Sequence, residues 1–377
     1  MVRKTAGTRN GHGEVLRMVS IIVCENGASE SSLQKTLSAA AAATSDRIIL
    51  IGRAAGETPA GVECIAPRES LAASMSLAIE RAGSENVLFV DATSRADAMQ
   101  LGEAIRSAAR STAAITSIPL ELLGETIMLP ELSMDSLVST LASQEEWPTA
   151  IIAMRSSFVR PFLSSMIAPT IRAMLAQLIV RAVLESEHVE RAGMHFRITS
   201  PELRPESLRL SMNERRDLLS MTVSSSNIED LFPVHPWKAH QEESAAASYH
   251  ALAALFIRFG DTDAALECLR LSDQLEDSPR SLALKGLISV IRGETLGAVA
   301  NLVSSLQQYE LRKRSDERHY LSFAPSNLER INTNLHAGLE ALNKRDNETA
   351  LARFAEAVFD FDPFYADLGV SAIPGAH

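Results

Sequence analysis

The chain has 377 residues, 46% hydrophobic and 22% charged, enough ordinary globular sequence for two or three domains with cores of their own. Its formal net charge of −11 repels polyphosphate backbones and speaks against DNA or RNA as a partner. Cys24, Cys64 and Cys268 lie far apart with no CxxC pair, so they read as small buried hydrophobes in a reducing compartment rather than a disulfide framework or zinc site.

Residues 1–17, "MVRKTAGTRNGHGEVLR", form a basic, Gly-rich tail without the apolar run of a signal peptide. No stretch reaches the ~18 apolar residues of a membrane span, and the expected location is the cytoplasm. From residue 18 the pattern alternates short apolar runs with helical ones, as strands wound by helices in a mostly parallel sheet do. "MVSIIVCEN" (18–26) is a strand, "SSLQKTLSAAAAAT" (31–44) an Ala-rich helix, and "RIILIG" (47–52) and "VECIAP" (62–67) are strands. The helix "SLAASMSLAIERA" (70–82), the strand "NVLFVD" (86–91), the helix "ADAMQLGEAIRSAARS" (96–111) and the strand "AAITSIP" follow. Between 120 and 150 the pattern loosens into acidic, Pro-containing loop. "TAIIAMRSSF" (149–158) is a strand ending in a turn, and Ile171, Met174, Leu175, Leu178, Ile179, Ala182 and Val183 give one apolar stripe to a helix over 170–191. That stripe is a packing surface rather than a cofactor box.

"SSSNIEDLFPVHPWKAHQEES" (224–244) reads as a linker, and its His235 and His240, five apart in a Pro-broken loop, share no helical face for a metal. Beyond it only helical period remains, and the chain repeats itself. Small residues recur at Ala265, Ala298 and Ala350; four later stand Leu269, Leu302 and Phe354; twelve earlier stand Ala253, Gly286 and Gly338. These units resemble tetratricopeptide repeats, in which small residues let paired helices approach closely. Stacked pairs make a concave surface for a protein or peptide partner; docking as a lid or as a homo-oligomer interface is the other reading.

The first half resembles a family 2 glycosyltransferase of the GT-A fold. The resemblance is carried by "VSIIVCENGASESSLQKTLSAAAAATSDRIILIG", with Glu30, Leu33 and Asp46 at matching positions, by "ESLAASMSLAIERAGSENVLFVDAT", and by "TAIIAMRSSFVRPF". It implies a Rossmann-like α/β domain over 18–223, joined through 224–244 to tetratricopeptide-like helices over 245–370. It implies a nucleotide-sugar site containing Glu25, Asn26, Asp91, Thr93 and Arg155, with Asp91 as first acid of an Asp-x-Asp motif holding Mn²⁺ or Mg²⁺ if the protein is active; Glu25 and Asn26 read equally as a turn after a strand, and a salt bridge is the favoured reading of Arg155. A divalent cation there neutralises the charge that builds on a departing diphosphate.

The sequence departs from that pattern in three places: Thr93 replaces the second acid, "LIGRAAG" lacks the acids that usually follow the second strand, and Ala168, Pro169 and Thr170 stand where a catalytic acid is common. Asp97, Glu121, Glu125, Glu131 and Asp135 could substitute, but solvated loop is the favoured reading of each. Two readings follow: a transferase whose repeats select the acceptor, or an inactive transferase fold kept as scaffold or sensor. No GxGxxG follows a strand and no P-loop occurs, which sets aside dehydrogenase-type and P-loop chemistry.

Overall fold

The computed structural model describes residues 17–43, 47–53, 58–143, 146–198, 203–315 and 328–361. The chain divides into two compact units, Met1–Ser225 and Ser226–His377. Asp46 and the tail before residue 17 lie outside the described residues. No helix among the described residues is long and apolar enough to cross a membrane.

The first unit runs β1 (Val19–Cys24), α1 (Glu30–Ala43), β2 (Ile48–Ile51), β3 (Val62–Ile65), α2 (Leu71–Ala82), β4 (Asn86–Asp91), α3 (Ala98–Arg110) and β5 (Ile115–Ser117). It continues through β6 (Leu120–Leu122), β7 (Glu125–Ile127), α4 (Met134–Ala142), β8 (Ile151–Arg155), α5 (Ser156–Leu163), α6 (Ile171–Leu184), β9 (Val189–Arg191), β10 (Phe196–Ile198) and α7 (Met212–Ser225). The main sheet has the order β3-β2-β1-β4-β8-β5-β9. Its pairings are parallel except those of β8, which runs against both β4 and β5.

Every residue of β1 and β4 is buried, because helices cover both faces of the sheet. Ile21, Val23, Leu88 and Val90 share one core with Leu33 and Leu37 of α1 and Leu101 and Ala104 of α3. This burial of alternate residues on both faces is why the sequence shows continuous apolar runs instead of alternation. The segment 120–150, read as loop, instead holds the β6–β7 hairpin, which with β10 forms a second, three-stranded sheet, and helix α4. Strands of three residues are too short to show a period. The helix expected to reach residue 191 stops at Leu184: Ser186 takes a left-handed φ of 56°, and the chain re-enters the sheet as β9. Cys24 and Cys268 are buried as expected; Cys64, on edge strand β3, is exposed.

The second unit holds α8 (Ile228–Leu231), α9 (Gln241–Arg258), α10 (Thr262–Asp273), α11 (Pro279–Ile291), α12 (Thr295–Ser315), α13 (Leu328–Asn343) and α14 (Asn347–Phe361). They pair as α9 with α10, α11 with α12, and α13 with α14. Ala265, Ala298, Ala350, Leu269, Leu302 and Phe354 are all fully buried, so the spacing seen in the sequence marks the seam of each pair. Between the first two pairs the leading helix α11 packs against α9 and α10; at the third pair the trailing helix α14 packs against α11 and α12. The third pair therefore does not repeat the docking of the second.

His250 of α9 is buried with its Nε2 2.9 Å from Ser272 Oγ. Burial, helped by the charges of Arg280 and Lys285, pushes its pKa from 6.5 down to about 3. Between those values the unfolded chain binds a proton that the native one excludes, so native stability falls as pH drops below 6.5. At pH 5 the loss is about 2 kcal/mol, one pKa unit being worth roughly 1.4 kcal/mol. Hydrogen-exchange mass spectrometry at pH 7 and 5 will show this weakening in the second unit, and His250→Gln will remove it; equal slopes in both proteins would contradict the assignment.

Candidate functional site

The sheet order places β1 between β2 and β4. The chain leaves β1 toward β2 and β3, then returns to lay β4 on the opposite flank. In open α/β sheets ligands bind outside the carboxyl ends of the strands at such a reversal. The residues there are Glu25 and Asn26 after β1, and Asp91 and Thr93 at the end of β4.

The sequence Glu25-Asn26-Gly27-Ala28 makes a tight turn closed by Ala28 N–H donating to the Glu25 carbonyl at 2.8 Å. Asn26 and Gly27 take left-handed φ values of 44° and 72°, which Asn and Gly accept most readily. This turn aims Asn26 across the reversal, where its Nδ2 donates to Asp91 Oδ2 at 2.6 Å. On the other oxygen, Asp91 Oδ1 accepts from Thr93 N–H at 2.9 Å and Thr93 Oγ1 at 2.7 Å. Asp91 is thereby the N-cap of the 3₁₀ turn Ala92–Ser94. Only 8% exposed, its carboxyl has its pKa raised by burial, against the opposing pull of the Thr93 and Asn26 hydrogen bonds and the Arg172 charge.

Glu25 turns away from Asp91. Its Oε2 accepts from Arg53 N–H at 2.8 Å and lies over Gly52, φ +153°, where a Cβ would stand 2.6 Å from that oxygen. Only glycine leaves room for it.

Arg155 is not part of this group. Its Cα partner in the sheet is Asn86, the first residue of β4, so it lies five residues, about 17 Å, from Asp91. There its Nη2 donates to Glu187 Oε2 at 2.7 Å. The antiparallel course of β8 sends its carboxyl end to the far edge of the sheet.

A residue passed over in the sequence belongs to the near edge instead. Glu214, 5% exposed, accepts from Thr170 Oγ1 at 2.9 Å, from Arg172 Nη2 at 3.0 and 3.2 Å, and from Ser211 N–H at 2.8 Å. Burial raises its pKa, but the Ser211 amide, the Thr170 hydroxyl and the Arg172 charge together bring it below the ordinary value. Thr170, in the triplet where a catalytic acid is common, caps α6 through Ala173 N–H and holds this carboxylate, which arrives from α7. The Arg172 guanidinium thus bonds Glu214 and also acts electrostatically on Asp91.

These donors do not suit a resident Mn²⁺ or Mg²⁺ at Asp91. Hard divalent cations want several oxygen ligands, yet Asp91 is the sole carboxylate of its cluster and three hydrogen-bond donors already occupy its oxygens. No group of three His, Cys, Asp or Glu converges anywhere among the described residues. Of the acids considered as substitutes, Asp97 caps α3 through Gln100 N–H, Glu121 pairs with Arg197 at 3.1 Å, Asp135 accepts from Ser133, and Glu125 and Glu131 are exposed. His235 stacks on Phe232, and His240 pairs with Glu243.

No family model matches the chain, and no curated protein sequence matches it. Among solved structures it is similar to TarS 1–349 of S. aureus in complex with UDP-GlcNAc, at 14% identity over 81% of this chain and 94% of that one, with a TM-score of 0.42. It is similar to the mannosyltransferase PcManGT of Pyrobaculum calidifontis in complex with GDP-Man and Mn²⁺, at 11% identity over 80% and 88%, TM-score 0.39. It is also similar to the M. tuberculosis glucosyl-3-phosphoglycerate synthase, at 11% identity over 55% and 80%, TM-score 0.38.

Proposed function

We propose that the first unit is a glycosyltransferase-like domain that binds a nucleotide sugar at the carboxyl edge of β1 and β4, and that the helical pairs, as tetratricopeptide-like repeats, recruit a protein or peptide. The observation that carries the reading is the meeting of Asn26 and Asp91 across the reversal in strand order. Helices α1 and α3 both begin at that edge, and helix N-termini favour anionic phosphates. Arg172 supplies a guanidinium beside the same cluster, suited to an oxyanion fork. In this reading Arg172 and the helix ends offset the diphosphate charge.

Binding without transfer is the second reading, and the state of the carboxylates favours it. A base must reach the acceptor hydroxyl, but Glu214 is held by three donor residues and Asp91 by two. Calorimetry of the full chain with UDP- and GDP-sugars, in EDTA and in Mn²⁺, tests both. We expect saturable heat of similar size in either buffer, weakened at least tenfold by Asn26→Ala, with no sugar released on prolonged incubation. Flat traces for every nucleotide would remove the binding site, whereas sugar release dependent on Mn²⁺ would restore a metal-assisted transferase.

A further inference from the structure

The opposite edge of the sheet carries a cavity of about 400 Å³ that the nucleotide-sugar reading leaves unused. It is lined by Arg17, Ser84, Glu85, Arg155, Ser156 and Arg160, among others. It exists because β8 runs antiparallel, so that α5 begins beside the start of β4: Ser156 N–H donates to the Glu85 carbonyl at 2.8 Å.

Three features of the cavity point to one class of ligand. The first is charge: three guanidinium groups gather there in a protein whose net charge is −11. Arg160 donates only to the Ile79 carbonyl, at 3.2 Å, and no carboxylate pairs with it among the described residues. Arg17 meets the largely exposed Glu85 at 3.7 Å, and Arg155 meets Glu187 at 2.7 Å. The second is the head of α5, where no side chain caps the helix; the Ser156 amide is taken by the Glu85 carbonyl, and the first-turn amides that follow it have no side-chain cap. The third is independent of both: Ser156, 4% exposed and part of the lining, has a buried Oγ with no hydrogen-bond partner. Buried hydroxyls almost always find a partner, and this one belongs to a residue in the cavity wall, beside an arginine without an acid, so a ligand that draws it out gains a hydrogen-bond donor.

We infer that this cavity is a binding site for a phosphate group, borne by a small phosphorylated metabolite, at the sheet edge opposite Asp91. A tetrahedral dianion offers several acceptor oxygens to forked guanidinium donors, serine hydroxyls and helix amides together, and charge-assisted bonds of this kind are the strong ones. The volume leaves room for a group attached to the phosphate. Such a ligand competes with Glu85 and Glu187 for Arg17 and Arg155, so its occupancy loosens two existing ion pairs.

Titration of the full chain with inorganic phosphate at constant ionic strength, by calorimetry and by thermal melting, tests the site. We expect one saturable site, at least tenfold weaker in Arg160→Ala and partly recovered in Arg160→Lys. Ser156→Ala is the second probe: with no partner to lose, it will leave the melting temperature without phosphate unchanged or higher, while shrinking the rise that phosphate produces. Asn26→Ala will not alter phosphate binding, which separates this site from the proposed nucleotide pocket. A hexose phosphate binding more tightly than phosphate assigns the source to a phosphorylated sugar, and equal affinity assigns it to free phosphate. The inference is overturned if no saturable binding occurs, or if Arg106→Ala, in a separate arginine-bearing cavity, weakens phosphate as much as Arg160→Ala.

Discussion

Gly338→Ala will destabilise the second unit by about 1–3 kcal/mol, the usual cost of overpacking a closed core. A helical glycine changed to alanine ordinarily gains up to ~1 kcal/mol, so the sign itself is informative. A Cβ at 338 would stand 2.4 Å from Phe354 Cε1, 2.7 Å from Cδ1 and 3.0 Å from Cζ. The Phe354 ring is fully buried and has nowhere to retreat. The equivalent Gly286 faces Leu302 at 3.0 and 3.1 Å, where a flexible branched side chain can yield. Gly286→Ala should therefore cost less than Gly338→Ala, and Ala253, at the matching position of the first pair, is a buried alanine already. Urea unfolding monitored by hydrogen exchange in α13 and α14 will rank the three seams, and Phe354→Leu placed in the Gly338→Ala chain should recover most of the loss. A Gly338→Ala protein as stable as its parent would mean that this seam is looser than its distances state.

The largest effect in the first unit is expected from Glu214→Ala, about 2–3 kcal/mol, because its buried carboxylate is the shared acceptor of several donors, which lose their partner together. Thr170, Ser211 and Arg172 would each lose their acceptor at once. The pH dependence has a definite sign. Glu214 has its folded pKa lowered from 4.5, so its contribution is present above 4.5 and is lost as pH falls through the folded value. Asp91 acts oppositely: its folded pKa is raised from 3.8, so it favours the fold at low pH and weakens it as pH rises through the raised value. Comparing urea unfolding of Glu214→Gln and Asp91→Asn with the parent from pH 3.5 to 7 should give difference curves of opposite slope. Two curves of the same slope would show that one of the two shifts has the opposite direction, and a flat curve that its carboxyl is solvated.

Much of this architecture is legible in the residues, and what is not has identifiable reasons. Strands buried on both faces announce themselves as "SIIVC" and "VLFV", and the apolar stripe of α6 continues into Ala173, Ala176 and Val180 because that helix is buried nearly all round. A three-residue strand shows only where an apolar run surrounds it, as "AAITSIP" does for β5, so β6, β7, β9 and β10 are visible only once their partners are known. Direction is equally silent: "AIIAMR" reads the same whether β8 runs with its neighbours or against them, yet that choice decides which edge receives Arg155. Glu214 had a readable signal. Ser211-Met212-Asn213-Glu214 is an S-x-x-E capping box, confirmed by Glu214 N–H donating to Ser211 Oγ at 3.3 Å while Ser211 N–H donates to Glu214 at 2.8 Å. What the linear pattern does not contain is the 44-residue separation closed by its bond to Thr170.

The reversed docking of the last helix pair bears on how such an array could grow. Between the first two pairs the leading helix α11 covers its predecessor, the docking that a repeating stack copies from unit to unit. With α14 seated on α11 and α12, the last pair departs from that rule, so a tandem copy of residues 328–361 would have to dock through its trailing helix, as α14 does, and not through its leading one, as α11 does.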